Sequence, residues 1–334
     1  MTTSPAGTPD GGSRPAVFSG YSGRAVSEYF RMERWEDPAH YRDGGESGSA
    51  SSGDGVEPPF GARVPIDPHE RGPGGGMRAG ALISVLDSAG GMMSGLSVLP
   101  RWIVTTNLMV RLARLDHAGP LRVGGRVLRK GRTSVVSGMV VVDEGRDDVP
   151  VASAIATMAV LEPAEMDLRF DRPVWVPAPA PPPEQVPIDD FLHIEPGSGP
   201  TTRLDLVEHL RNPWGILHGG AVAVLADEAA TRATRATRAT RATRATRATR
   251  ATALSGTGSG VADAPGEDPT TPCVSGAVIQ YVSPNRVGPI EARAAVIGDR
   301  GRDVVVRVSM HDLGAGERLT ALATVTVRRL ARDR

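Results

Sequence analysis

The 334-residue chain is short of several things, and each shortage removes a class of function. It has one cysteine, Cys273, so it can form no internal disulfide and no cysteine-built metal cluster. Cys273 opens an apolar run, the setting of a plain buried thiol rather than a nucleophile. It has no excess of either charge, with 38 basic residues against 38 acidic ones, so nothing in bulk draws nucleic acid or an anionic membrane. Lys130 is the single lysine. Aromatics make up 4% of the chain and do not interleave its arginines, as base stacking would require. No run of about 18 apolar residues stands out, so no membrane span is expected. The N-terminus lacks an apolar core of signal-peptide length, and a cytoplasmic protein is the economical expectation. His40, His69, His117, His193, His209 and His311 show no metal-ligand spacing, so neither metal nor cofactor is expected.

What is plentiful is glycine, with 40 residues, and proline, with 28, beside a 40% hydrophobic content. Such a chain is long enough for two globular domains joined by irregular stretches. Residues 1–20 are rich in Gly, Pro, Ser and Thr and are expected to be disordered. The first domain is placed at 21–170, with a Gly/Ser-rich piece at 44–55. A Pro-rich linker follows at 171–187, its run Pro177–Pro183 favouring an extended spacer. The second domain takes 188–334.

Both blocks show one order of elements. Gly74–Gly80 leads into an apolar helical stretch at 81–90, then into four Val/Ile/Thr-rich strands near 102–112, 120–130, 133–143 and 150–161. Gly215–Gly220 leads into a helix from about 218, then into strands near 273–283, 289–298, 302–311 and 318–330. The stretch from Arg78 to Asp87 aligns without a gap on the stretch from His218 to Asp227, and the run from Arg129 to Val136, with Arg132, matches the run from Gly298 to Val305, with Arg302, at a later strand turn. That is an internal duplication. Within the second block, Ala-Thr-Arg recurs from Ala230 to Arg250. A three-residue step turns about 300° on a helix, which spreads arginine round the whole circumference. The expectation is a solvated helical extension with no apolar face, followed by a flexible loop at 255–271. A basic arm for nucleic acid or CoA phosphates is the sharper alternative.

The second block resembles the hotdog-fold thioesterases of the phenylacetyl-CoA thioesterase type. The resemblance rests on Asn212, Gly215, His218-Gly219-Gly220 and Asp227, with Ser283-Pro284 and Gly301-Arg302 later on. It spans roughly 190–330 and extends more weakly over 60–163. It implies an α+β fold of two hotdog domains, each an antiparallel sheet wrapped around a central helix, paired as a pseudo-dimer. It also implies hydrolysis of acyl-CoA thioesters.

Physical chemistry supports that chemistry at those residues. Glycines at a helix start present unpaired N–H groups and the positive end of the helix dipole to a developing oxyanion. Asp227 lies about two turns beyond its own helix start, too far to serve a carbonyl docked there. In the family this is resolved by crossing between paired domains, with Asp as general base or nucleophile. One site then combines Asn212, His218 and Gly219 with Asp87. The other combines Ala79 and Gly80 with Asp227. Gly220, Thr105, Arg132 and Arg302 join as candidate substrate contacts, the arginines toward CoA phosphates. Arg78 and Ala79 stand where the second half has His218 and Gly219, so the site built on Asp227 is expected to be the poorer one. Each Asp also has a plain structural reading, as a cap or a buried ion pair. Two alternatives stand beside hydrolysis: a non-catalytic acyl-CoA-binding or scaffold protein, and a hotdog hydratase. The expected partner is acyl-CoA, with pairing of two chains left open.

Overall fold

The computed structural model describes residues 26–36, 60–162, 174–176, 185–212, 214–254 and 270–331. The stretches 1–20, 44–55 and 177–183 lie outside the described residues, as does 255–269 of the expected loop. In the first half the elements are α1 (Val26–Tyr29), β1 (Glu33–Glu36), β2 (Phe60–Val64), α2 (Ala79–Val98), β3 (Trp102–Leu112), β4 (Leu121–Lys130), β5 (Ser134–Asp143), β6 (Val149–Leu161) and β7 (Val174–Val176). The second half has α3 (Ile188–Phe191), β8 (Ile194–Pro196), β9 (Thr201–Leu204), α4 (Gly219–Leu254), β10 (Thr270–Tyr281), β11 (Ile290–Asp299), β12 (Asp303–Asp312) and β13 (Arg318–Ala331).

The described strands form one antiparallel sheet in the order β7-β1-β2-β4-β5-β6-β3-β10-β13-β12-β11-β9-β8. Its midline is the β3–β10 pair, where Gly276 meets Arg111 and Gln280 meets Asn107. Alternation decides which face is buried. Val135, Ser137, Met139 and Val141 of β5 turn inward, as do Val304, Val306, Val308 and Met310 of β12. Over that inner face lie α2 and α4, packed against their own strands and against each other. A helix with sheet on one side and a second helix on the other is apolar nearly all round. α2 accordingly buries Leu82, Ile83, Val85, Leu86, Ala89 and Met93. α2 is long and apolar enough by composition to cross a membrane, but it lies largely inside the protein.

Several elements depart from their expected positions. α2 runs on to Val98, well past the expected end at 90. The expected linker at 171–187 contains β7, which pairs with β1, and β1 in turn pairs with β2. Thr270 and Thr271, assigned to the flexible loop, already belong to β10. Cys273 sits inside that strand as a buried thiol whose pKa is pushed up to about 11 by burial and by the Asp227 charge.

The Ala-Thr-Arg tract differs most. Ala230, Thr231, Ala233 and Thr234 are buried, so the first copies belong to the core rather than to a solvated extension. A three-residue repeat falls about 60° behind the helix per copy and so keeps small residues inward for roughly two turns before rotating away. Burial does lapse at Arg235. Thr234, Thr237 and Thr240 return their hydroxyls to the carbonyls of Ala230, Ala233 and Ala236, which satisfies the hydroxyls without outside partners. Arg232 turns sideways to the carbonyls of Gly197 and Gly199.

The sheet also repeats the match between the two strand turns. Asp143 accepts backbone N–H bonds from Ala118 and Gly119, and Asp312 does the same for Val287 and Gly288. Matching bulges lie between Val127 and Arg129 in one half and between Val296 and Gly298 in the other. In that register Arg132 stands opposite Gly301 and Thr133 opposite Arg302, as they do when 129–136 is laid on 298–305 in the sequence.

Candidate active site

α2 and α4 cross so that the start of each meets the middle of the other. Gly219 is the first residue of α4, and its N–H has no partner within the helix. Its Cα faces the Asp87 carboxylate of α2: a β-carbon there would lie 2.6 Å from Asp87 Oδ2. At Gly220 a β-carbon would strike Ser84 Oγ at 2.1 Å. Only glycine permits this approach of helix to helix.

Asp87 is 5% exposed. Thr105 Oγ1, reaching inward from β3, donates to its Oδ1 at 2.9 Å. His218 Nδ1 lies 3.8 Å from Oδ2, beyond hydrogen-bond distance. The Gly220 N–H donates to His218 Nδ1 at 3.0 Å and also favours the Asp87 carboxylate. A nitrogen that accepts carries no proton, so the neutral ring holds its proton on Nε2. Burial pushes the Asp87 carboxyl above the ordinary carboxylate range, against opposing pulls from His218, Thr105 and Gly220. Burial also pushes the His218 imidazole below its usual value, against the pull of Asp87. The site therefore offers a carboxylate of raised basicity, a neutral histidine and an unpaired helix N–H, all facing one another.

At the mirror position Asp227 is equally buried but differently occupied. Its Oδ2 accepts from Arg78 Nε at 2.7 Å and from the Gly80 N–H at 3.1 Å. Arg78 also reaches Asp189 at 2.6 Å and Glu228 at 2.9 Å. The cation that stands in place of His218 thus ties three carboxylates together and leaves Asp227 bound.

The structure brings Asp87, Thr105, His218, Gly219 and Gly220 into one constellation, and Arg78, Gly80 and Asp227 into another. Asn212 takes a bracing place: its Oδ1 accepts the N–H of Trp214 at 2.9 Å and of Ile216 at 3.3 Å, which shapes the loop ahead of α4. Arg132 lies exposed on a strand turn, where its carbonyl accepts from Arg101. Arg302 lines a separate cavity in the second half.

Two further residues belong to the first constellation. Tyr281, at the end of β10, donates its hydroxyl to the Gly219 carbonyl at 3.0 Å. Burial, and next the Asp87 charge, hold that phenol well above its usual range. Ser84 is wholly buried, and its Oγ has no hydrogen-bond partner among the described residues. Ser84 had a sequence signal, since the gapless alignment sets it against Val224. Tyr281 had none, because its place depends on the register of the β3–β10 seam. Nearby, the rings of Trp102 and Trp214 meet edge to face at 5.6 Å, one from each half.

No protein-family model matches the sequence, and no curated protein matches it. Solved structures do resemble it in shape. An acyl-CoA thioesterase II from Mycobacterium marinum is 14% identical over 82% of this chain and 92% of its own, with a TM-score of 0.47. An acyl-ACP thioesterase from Bacteroides thetaiotaomicron is 14% identical over 80% and 97%, with a TM-score of 0.44. A hot dog protein of unknown function from Alicyclobacillus acidocaldarius is 13% identical over 82% and 94%, with a TM-score of 0.46. Each half of the present chain is an antiparallel sheet wrapped around one long helix, and the two helices meet across a continuous sheet: the chain carries the hotdog fold twice.

Proposed function

We propose that the protein hydrolyses acyl-CoA or a related acyl thioester at a single composite site, of the phenylacetyl-CoA thioesterase type, built from Asp87 and the start of α4. The observation that carries this reading is the inequality of the two aspartates. Asp87 faces a neutral His218 and a helix start, whereas Asp227 is held in an ion pair by Arg78.

The thioester carbonyl docks with its oxygen toward the Gly219 N–H and the Nε2 proton of His218. Asp87 takes a proton from water as that water attacks the carbonyl carbon. The tetrahedral oxyanion forms against the α4 start, where helix partial charge and fixed donors stabilise it without reorganisation. Collapse expels the thiolate, which recovers the proton from the Asp87 carboxyl, leaving acid and free thiol. A raised carboxyl pKa suits this role, because a base with a pKa nearer the working pH removes protons more effectively. Thr105 holds the carboxylate to one orientation. The departures that favoured a binding-only protein, Arg78 and Ala79, belong to the other constellation and leave this one intact.

The test is a screen of acyl-CoA chain lengths with detection of released thiol. The reading predicts turnover with at least one acyl-CoA. Calorimetric binding of acyl-CoA with no thiol release over hours would replace it with the binding-only reading.

A further inference from the structure

One phenol from the sheet holds the start of α4. Tyr281, the last residue of β10, packs its ring against the core and donates its hydroxyl to the Gly219 carbonyl at 3.0 Å. That carbonyl and the Gly220 N–H are the two ends of one planar peptide, so whatever fixes one end aims the other. The Gly220 N–H is aimed at His218 Nδ1, 3.0 Å away, and it also favours the charged form of Asp87. His218 stands immediately before the first residue of α4 and takes the place of a capping side chain, which accepts from the second or third helical N–H. Tyr281, the Gly219–Gly220 peptide and His218 therefore form one chain of hydrogen bonds, hydroxyl to carbonyl and amide N–H to imidazole. Donation into a carbonyl polarises its amide, and the bonds of such a chain strengthen one another.

A tyrosine packed against a core needs some hydrogen-bond partner, and that need alone could account for the bond. The other half of the chain argues for more. In the sheet Tyr281 pairs with Ala321 and Ala321 with Met310, just as Leu112 pairs with Ala152 and Ala152 with Val141. Met310 and Val141 lead by the same step to Asp312 and Asp143, the aspartates that brace matching turns. Leu112 is thus the counterpart of Tyr281, and it is a buried core residue with no hydroxyl to give. Hydrocarbon is enough to fill that position. By the same register Val274 stands for Thr105, and by the helix alignment Val224 stands for Ser84. Hydroxyls gather around Asp87 at the positions where the Asp227 site carries aliphatic chains. There the Gly80 N–H goes straight to Asp227 at 3.1 Å, with Arg78 in the place of the histidine. The phenol accompanies the histidine.

We propose that Tyr281 is a positioning residue for the thioester reaction. Its bond to the Gly219 carbonyl sets the plane of the Gly219–Gly220 peptide, so that the Gly220 N–H keeps His218 Nδ1 as an acceptor and leaves the imidazole proton on Nε2, toward the substrate carbonyl. The effect on rate rests on the hydrolytic reading of the site, whereas the effect on the histidine does not.

The test is Tyr281→Phe, which removes the hydroxyl and keeps the ring, read in two ways beside the native full chain. The first is the nitrogen NMR resonances of the His218 ring, recorded without substrate at neutral pH, where burial favours the uncharged ring, and assigned by the signals lost in His218→Asn. In the native chain Nδ1 should resonate as a bare acceptor nitrogen and Nε2 as a protonated one. In Tyr281→Phe the two should move toward each other as the tautomers mix. The second is thiol release from acyl-CoA, with kcat expected to fall about fivefold to tenfold, the worth of one hydrogen bond, and KM to stay within about twofold. Tyr29→Phe removes a like bond, from its hydroxyl to the Val186 carbonyl at 2.8 Å, and should leave both readouts as in the native chain. Ring nitrogens unmoved in a folded Tyr281→Phe protein, or native kcat in one whose nitrogens have moved, would overturn the proposal. Absence of thiol release from the native chain would overturn the hydrolytic reading instead, and the ring nitrogens, which need no substrate, would still support or overturn the hold of Tyr281 on His218.

Discussion

Gly219 and Asp87 face each other across the α2–α4 crossing with no room for a β-carbon between them, since one on Gly219 would lie 2.6 Å from Asp87 Oδ2. Gly219→Ala must therefore displace either the start of α4 or the carboxylate. A misplacement of about 1 Å between reacting groups costs roughly a hundredfold in rate. Thioester turnover is expected to fall by about that factor, with the circular-dichroism spectrum unchanged. Full activity in Gly219→Ala would contradict the proposed docking of the carbonyl at that helix start.

Thr105 is a positioning residue, and its removal has a pH signature. Its hydrogen bond favours the charged carboxylate, so Thr105→Val raises the Asp87 pKa further. Activity requires ionised Asp87 and therefore rises as pH climbs through that pKa. The rising limb of kcat/KM should lie above the ordinary carboxylate range in the native protein and shift to still higher pH in Thr105→Val, with about tenfold lower activity at neutral pH. Thr105→Ser should restore both. A lower rate with an unmoved limb would point to packing alone.

Glu70 gives the protein a pH-dependent stability that has nothing to do with catalysis. It is 1% exposed, and burial pushes its carboxyl up to about 8, against a bond from the Asp67 N–H that lowers it. A carboxyl with a raised folded-state pKa keeps its proton while the unfolded chain loses it. Stability is therefore highest below the unfolded value and falls as pH rises toward about 8, by a few kcal/mol. Glu70→Gln should flatten the slope of Tm against pH over this interval and be the more stable protein at pH 8. An identical slope would exclude Glu70 as its source.

Arg78 holds Asp227, Glu228 and Asp189 together, so its loss leaves the buried Asp227 and two partly exposed carboxylates without this counter-charge. Arg78→Ala is expected to cost roughly 3 kcal/mol in denaturant unfolding, with thioester turnover at 25 °C within a few-fold of native. Such a split between stability and rate is what a structural ion cluster predicts. A large loss of rate in a folded Arg78→Ala protein would bring the second constellation into the chemistry.

Much of this arrangement was legible in the sequence, and the rest was hidden for identifiable reasons. Strand alternation and glycine-led helix starts located the beginnings of α2 and α4 and the eight long strands to within a few residues. The cross-domain pairing of Asp87 with Gly219 came from the resemblance to hotdog thioesterases, and the gapless match of 78–87 with 218–227 told which residues it falls on. The same match set Ser84 against Val224, although a serine within an apolar helix draws little notice by itself. Tyr281 was hidden because a strand end acquires neighbours only through sheet register. The Ala-Thr-Arg tract misled because periodicity reports where arginines point, while burial of its first copies depends on Ala and Thr being small enough to sit on the sheet.

The most direct measurement compares Asp87→Asn with Asp227→Asn in thiol release from one acyl-CoA that the native chain turns over, at 25 °C and with folding checked for each variant. Asn preserves the shape of both sites while removing the base. The single-site account predicts a loss of about a thousandfold for Asp87→Asn and a change within a few-fold for Asp227→Asn. Equal losses in the two variants, or a greater loss in Asp227→Asn, would contradict it.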